Sequence, residues 1–333
     1  MKKVLITGGT GFIGYHLAKR LVALGQDVTI VDNFFRSEKD EDLLALLQKP
    51  NIKLVEADLT VSENWGKLGV GYDYVYHLVG INGTKLFYEI PYEVLRIGLL
   101  TTLNAIEWFR TTNNRPDGKI LYTSSNELYA GTREAFGDKA LPIPTDEKVP
   151  GVISDIYNPR WSYAGQKLIG EMLFIHSAKA FEFRMSIVRP HNFYGPRAGY
   201  HHVIPELIEK IDRKMEPFPI YGIQEKRSFC YIDDAVEAIQ MVMESSKTDG
   251  GTFHIGSHEE RKVINLVETL FSLLNWKPKE RDIKDPLPGS VTRRVPDISK
   301  IKEFVGWEPK TSFEDGLQKT IEWYLKHPNP KKK

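Results

Sequence analysis

A short apolar strand that turns through spaced glycines into a helix constrains this chain more than any other stretch. Val4, Leu5 and Ile6 make the strand and Thr7-Gly8-Gly9-Thr10-Gly11-Phe12-Ile13-Gly14 the turn. Leu17, Leu21 and Leu24 then recur at helical spacing. Such a turn gathers backbone N–H groups and the positive end of a helix dipole at one point, which suits a pyrophosphate. Gly8 permits the tight turn, Gly11 admits the phosphates and Gly14 lets the helix close on the strand. The spacing is G-x-x-G-x-x-G, so the second strand has to support the reading. It does. Gly25 can end the helix, and Val28-Thr29-Ile30-Val31 is a β-branched run ending at Asp32, eighteen residues beyond Gly14. An acidic side chain there meets the adenosine ribose hydroxyls, which predicts NAD rather than NADP. Arg36 is the one feature that pulls toward NADP.

With 333 residues and 41% apolar content the chain can bury a substantial core, as one large or two intimately packed domains. Lysine and arginine number 45 against 44 acidic residues, and no basic run is interleaved with aromatics, so a nucleic-acid partner is not expected. Lys331-Lys332-Lys333 reads as a solvated tail. No apolar stretch reaches membrane-spanning length, and the chain enters a core strand at once, with no signal peptide expected. The single cysteine, Cys230, fits a reducing, cytoplasmic setting.

Strands alternate with helices through the first half, the pattern of a parallel doubly wound sheet. Helix is expected over 43–47, 93–109 and 163–179, and strand over 52–59, 74–80, 119–125 and 184–188. Residues 131–160, rich in proline, glycine and charge, read as a long loop over a site. Beyond 196 the pattern breaks into a second lobe with one return to the sheet. The expected division is a dinucleotide-binding unit of 1–185 plus 230–258 and a substrate-binding lobe of 186–229 plus 259–330.

Tyr163 and Lys167 lie one turn apart on one helix face. A phenol has a reference pKa near 10, and a neighbouring ammonium favours the phenolate. Such a tyrosine can take the proton of a substrate hydroxyl while hydride leaves the same carbon. Upstream, Thr123-Ser124-Ser125 ends a parallel strand where hydroxyls face the ligand crevice, so Ser125 can hold the reacting oxygen toward Tyr163.

Taken in order, these motifs resemble the extended short-chain dehydrogenases/reductases of the NAD-dependent nucleotide-sugar epimerase/dehydratase family. Further matches are Ala-Asp-Leu at 57–59, His-Leu at 77–78, Ser-Ser-x-x-x-Tyr at 124–129 and Arg-Pro-x-Asn-x-Tyr-Gly-Pro at 189–196. Arg-Ser-Phe-Cys-Tyr-Ile-Asp-Asp at 227–234, Arg-x-Pro-Asp-Ile-Ser-Lys at 294–300 and Gly-Trp-x-Pro at 306–309 complete the set. The resemblance implies a Rossmann-type α/β fold with a smaller C-terminal substrate lobe. It assigns NAD to Gly8, Gly11, Phe12, Ile13, Gly14, Asp32, Asn33, Asp58, Leu59, Leu78, Tyr163 and Lys167. It implies that Asn192, Arg227 and Arg294 hold the diphosphate of a nucleotide sugar, and that Arg197, His202 and Val203 line the loop approaching sugar and base. It implies catalysis by Tyr163, Lys167 and Ser125, beginning with oxidation at C4 of the hexose, and a homodimer built on the helices near 93–109 and 162–179.

Glu127 bears on the step after oxidation. A 4-keto group acidifies the C5 proton, and relatives that dehydrate or decarboxylate the sugar tend to carry a carboxylate here. Asn126 departs from that pattern, where serine or aspartate is usual, and Ser125 stands for threonine. Dehydratase or decarboxylase chemistry is therefore expected ahead of 4-epimerisation, with C4 dehydrogenation behind. The reading from another class is a catalytically silent dinucleotide-binding protein. No metal is expected, since the adjacent His201 and His202 have no third ligand nearby.

Overall fold

The computed structural model describes residues 1–113, 115–286 and 293–329, so the Lys331–Lys333 tail lies outside the described residues. In the first half, strands β1 (Lys3–Thr7), β2 (Asp27–Asp32), β3 (Ile52–Glu56), β4 (Tyr74–His77), β5 (Lys119–Thr123) and β6 (Arg184–Pro190) alternate with helices. The helices are α1 (Phe12–Ala23), α2 (Glu41–Leu47), α3 (Thr84–Glu89), α4 (Pro91–Thr111), α5 (Leu128–Phe136) and α6 (Trp161–Phe181). In the second half come β7 (Phe193–Tyr194), α7 (Val203–Asp212), β8 (Phe218–Tyr221), β9 (Lys226–Ser228), β10 (Cys230–Tyr231), α8 (Ile232–Glu244) and β11 (Thr252–Ile255). The chain closes with β12 (Glu260–Lys262), α9 (Val263–Leu273), β13 (Arg281–Lys284), β14 (Arg293–Arg294), α10 (Ser299–Val305) and α11 (Phe313–Lys326).

Seven strands form one parallel sheet in the order β11-β6-β5-β4-β1-β2-β3. Its middle strands are buried on both faces, which is why Val4-Leu5-Ile6 and Ile120-Leu121-Tyr122 read as continuous apolar runs. One face packs on α1 and α8 with the second-half helices behind them. The other meets Trp65, Trp108 and Phe174 under α4 and α6. The expected return to the sheet is β11, which pairs with β6.

Three of the expected strands run past the observed ones at their carboxyl ends, whereas β6, expected to stop at 188, continues to Pro190. β3 stops at Glu56, β4 at His77 and β5 at Thr123, because the chain there turns off the ladder to line the cleft. The segment expected as loop over 131–160 begins inside a helix. The first five residues of α5, Leu128 to Thr132, are buried all round, and beyond Phe136 the segment is mostly irregular.

The glycine turn matches its sequence reading atom by atom. Gly8 has φ +70° and its N–H donates to the Val31 carbonyl at 2.8 Å. A side-chain carbon at Gly14 would lie 2.3 Å from the Gly8 carbonyl oxygen and 2.7 Å from Gly9 Cα. Gly14→Ala therefore has to push α1 off β1. Overpacking of this kind costs about 1–3 kcal/mol. A drop of several degrees in Tm together with at least tenfold weaker NAD binding is expected, from thermal melts and NAD titration of the same variant. Unchanged values in both would mean that the turn has slack.

Candidate active site

The carboxyl ends of β1, β2, β4, β5 and β6 converge on one cleft, where ligands bind in open parallel sheets. On the β1–β2 side, Asp32 accepts from the Thr10 N–H at 3.2 Å and the Phe34 N–H at 3.0 Å, so its carboxylate is fixed beside the glycine turn. Phe12 and Ile13 open α1, and the backbone of Leu78 and Val79 passes close against Gly8. Asp58 caps its own turn through the N–H and hydroxyl of Thr60, with Leu59 buried next to it. Asn33 is exposed and closes a turn onto the Phe35 N–H.

The catalytic trio expected from sequence comes together. Tyr163 sits near the start of α6 with its ring stacked on Phe87, centroids 4.9 Å apart, and its phenol lies within the influence of the Ser125 hydroxyl. Ser125 Oγ also accepts from the Glu127 N–H at 3.2 Å, which tethers the β5 end to the start of α5. Lys167 donates to the Thr123 carbonyl at 2.7 Å and lies 5.8 Å from the Tyr163 ring centre. Burial pushes the phenol up to about 12, against the lowering pull of Ser125 and Arg36. Burial also brings the Lys167 ammonium down to about 7. Arg36, expected to bear on the ribose end, makes no ion pair with Asp32 among the described residues, and its charge acts on Tyr163 and His202 instead.

Glu127 stands at the start of α5 inside a group of arginines. Arg294 Nη1 donates to its Oε1 at 2.6 Å, and Arg160 Nη2 approaches its Oε2 at 3.4 Å. Burial alone would raise this carboxyl. The charge and hydrogen bond of Arg294, with Arg160 and Arg227 behind, overcome burial and hold it below the usual carboxylate range. Arg227 is drawn down to about 10 by burial and by Arg294, although Glu225 pairs with it at 2.9 Å. Among the described residues, three guanidinium groups thus gather around two carboxylates, a local positive balance suited to an anionic ligand. Arg160 was missed in the sequence. Its signal was its place three residues before Tyr163, where the turn into α6 aims it back at the β5 end.

Of the residues expected to hold the substrate, Arg294 is engaged with Glu127. Asn192, at φ +45°, turns its amide to the Ser228 carbonyl at 3.0 Å. Arg197 is engaged with Asp40 at 2.7 Å and lies 4.0 Å over the Tyr15 ring, tying its loop to α1 and α2. His202 precedes α7 and is lowered to about 4 by burial and the Arg36 charge, while Val203 is exposed. Among the described residues no group of three or more His, Cys, Asp or Glu side chains could hold a metal ion.

A dinucleotide fits this cleft. A carbon added at Gly11 would meet only the Gly8 carbonyl oxygen, at 3.4 Å, so the outer face of the turn is open to phosphates. The family profile described as "NAD dependent epimerase/dehydratase family" matches residues 4–256. The chain belongs to that family. Relatives of the family include a UDP-N-acetyl-alpha-D-glucosaminuronate decarboxylase of Bacillus cytotoxicus, 32% identical over 97% of this chain and 98% of its own. UDP-glucuronic acid decarboxylase 6 of Arabidopsis thaliana is also 32% identical, over 95% of this chain and 86% of its own. Among solved structures, the UDP-glucose 4-epimerase of Thermotoga maritima superposes with a TM-score of 0.84 at 27% identity, covering 97% of this chain and 99% of that one. The cofactor of this epimerase/dehydratase-family enzyme is NAD, which supplies a hydride acceptor when bound.

Proposed function

We propose that this enzyme acts on a nucleoside-diphosphate hexuronate, oxidising C4 and then releasing the C6 carboxylate as carbon dioxide. The observation that carries the reading is Glu127 held ionised among Arg160, Arg227 and Arg294, beside the Tyr163–Ser125 pair. The two relatives that decarboxylate UDP-uronates support it. Tyr163 accepts the C4 hydroxyl proton while Ser125 holds that oxygen, and Lys167 supplies positive charge beneath the phenol. A ketone at C4 is β to the C6 carboxylate. Loss of carbon dioxide therefore leaves its electron pair as an enolate spread over C5, C4 and the oxygen, and C5 then takes a proton from solvent. The arginine group binds the anionic substrate, and Glu127 orients those arginines and faces C5. The units 1–185 plus 230–258 and 186–229 plus 259–330 divide the work between cofactor and sugar, in the reducing cytoplasm.

Purified protein incubated with a panel of UDP-sugars in deuterated water tests this by mass spectrometry. Loss of carbon dioxide from a uronate with one deuteron gained is the expected outcome. Loss of water from a neutral hexose would instead establish a dehydratase. An isomer without mass loss would establish an epimerase, and no conversion of any sugar with NAD still bound would favour the silent binder.

The enzyme forms a homodimer through α4 and α6 in this reading. Leu100 and Leu103 on α4 and Ile169, Met172 and Ile175 on α6 are between 36% and 53% exposed, on two helices packed against each other. A second copy related by twofold symmetry completes a four-helix bundle over this stripe. Light scattering should give twice the chain mass, and Leu103→Glu with Met172→Glu should give a monomer. A wild-type monomer at assay concentration would refute the dimer.

A further inference from the structure

Beside Asn126 and Arg294 lies a small cavity that the proposed chemistry leaves unused. Its walls include Asn126, Tyr129, Leu141, His191, Arg294 and Val295, and it offers about 10 Å³ to a water's centre. That is room for one molecule.

Two of these side chains are unsatisfied on the cavity side. Asn126 Nδ2 and both ring nitrogens of His191 are buried without a hydrogen-bond partner among the described residues. The residues themselves are only 6% and 2% exposed. The other end of the Asn126 amide is already fixed. Its Oδ1 faces Arg294 Nη1 at 3.5 Å, and the same nitrogen donates to Glu127 at 2.6 Å. An amide with its oxygen on the guanidinium has its NH2 turned away from it. The backbones of the two orphans run side by side at the ends of β5 and β6. Asn126 N–H donates to the Pro190 carbonyl at 3.3 Å, and His191 N–H to Ile255 at 2.8 Å. The imidazole is neutral, because burial, with His254, Arg294 and Arg189 adding to it, drives its pKa well below the ordinary value. A neutral ring keeps one nitrogen as an acceptor. Leaving these groups unmet in a buried site is costly, and a water with two or more polar partners removes that cost.

We propose that one buried water accepts from Asn126 Nδ2 and donates to His191, making His191 a positioning residue that locks the Asn126 amide and, through it, Arg294 on Glu127. This accounts for asparagine at position 126, where the resemblance leads one to expect serine or aspartate. An amide can accept from a guanidinium with its oxygen and donate to a bridging water with its nitrogen, whereas a carboxylate could only accept from that water. The catalytic consequence rests on the proposed role of Glu127, whereas the bridge does not.

A double-mutant cycle separates the two. Asn126→Leu, His191→Phe and the double variant are compared by urea unfolding, a measurement blind to activity. Each single change should raise the unfolding equilibrium constant several-fold, and the double should be no worse than the poorer single. That outcome is at least fivefold non-additivity. Additive effects would overturn the bridge, as would a high-resolution structure with no water between the two side chains.

The positioning role is read from single turnovers with a uronate. His191→Phe should slow carbon dioxide release about tenfold relative to NADH formation, with KM changed less than twofold. His191→Gln, which keeps an acceptor at similar reach, should restore the ratio. Coupling in unfolding with an unaltered ratio would overturn the positioning role. Failure of the Glu127 reading has its own sign, equal loss of both steps in Glu127→Gln, and does not touch the unfolding cycle.

Discussion

Tyr163→Phe should bring C4 oxidation down by about 10³-fold while the protein stays folded and binds NAD. Positioned general acid–base groups contribute about 10²–10⁴-fold. The aromatic ring keeps its stack on Phe87 at 4.9 Å, so the change removes one oxygen and little packing. Single-turnover NADH formation measures the loss, and a rate within tenfold of wild type would refute the role. The wild-type pH profile tests the same pair. The reactive form needs the phenolate together with the ammonium, and burial sets the first near 12 and the second near 7. Below pH 7 Lys167 is fully charged and the phenolate fraction rises tenfold per unit. Above it, each tenfold gain in phenolate is matched by a tenfold loss of ammonium. The kcat/KM for oxidation should therefore climb with unit slope to about pH 7 and then run flat.

Glu127→Gln should separate the two halves of the reaction. Oxidation at C4 should stay within about tenfold of wild type, since the amide leaves Tyr163, Ser125 and Lys167 in place. Carbon dioxide release should fall at least about 10²-fold, because a neutral amide no longer balances the arginines or presents a charge to C5. NADH and a 4-keto uronate should then accumulate, visible by absorbance and mass spectrometry. If both steps fell equally, Glu127 would only hold the pocket together. A modest loss of stability should accompany the change, since Arg294 and Arg160 keep their burial and lose their counter-charge.

The sequence carried the fold through local features, where a residue's role depends on its near neighbours. Gly8, Gly14 and Asp32 act within one strand–turn–helix–strand unit, and Tyr163, Lys167 and Ser125 sit at predictable ends of α6 and β5. Contacts between distant segments were harder to read. The pairing of Arg294 with Glu127 spans 167 residues, and that of Arg197 with Asp40 spans 157; neither could be foreseen from the chain. Both arginines are long cations whose partner is decided by which carboxylate the tertiary fold brings within reach. Arg36 shows the same limit, since its position in the chain placed it near the ribose whereas its flexible stem carries the charge toward the phenol. Strand ends failed for a different reason. Residues 57–59, 78–80 and 124–125 follow directly on apolar strands with no proline or turn pair between, so nothing local marks where they leave the ladder.

The order of the sheet has a bearing on how the chain is made. β6 at 184–190 finds its outer neighbour only when β11, at 252–255, has been synthesised. Until then the backbone groups of β6 face outward as an open template, while some sixty further residues emerge. A nascent chain halted in that interval exposes an apolar edge to any other strand it meets, the ordinary route to intermolecular pairing. Completing the platform under the cleft therefore waits on a segment that comes after part of the arginine-bearing second half. A cell making this enzyme has to shield that edge for the time it takes to translate the intervening stretch.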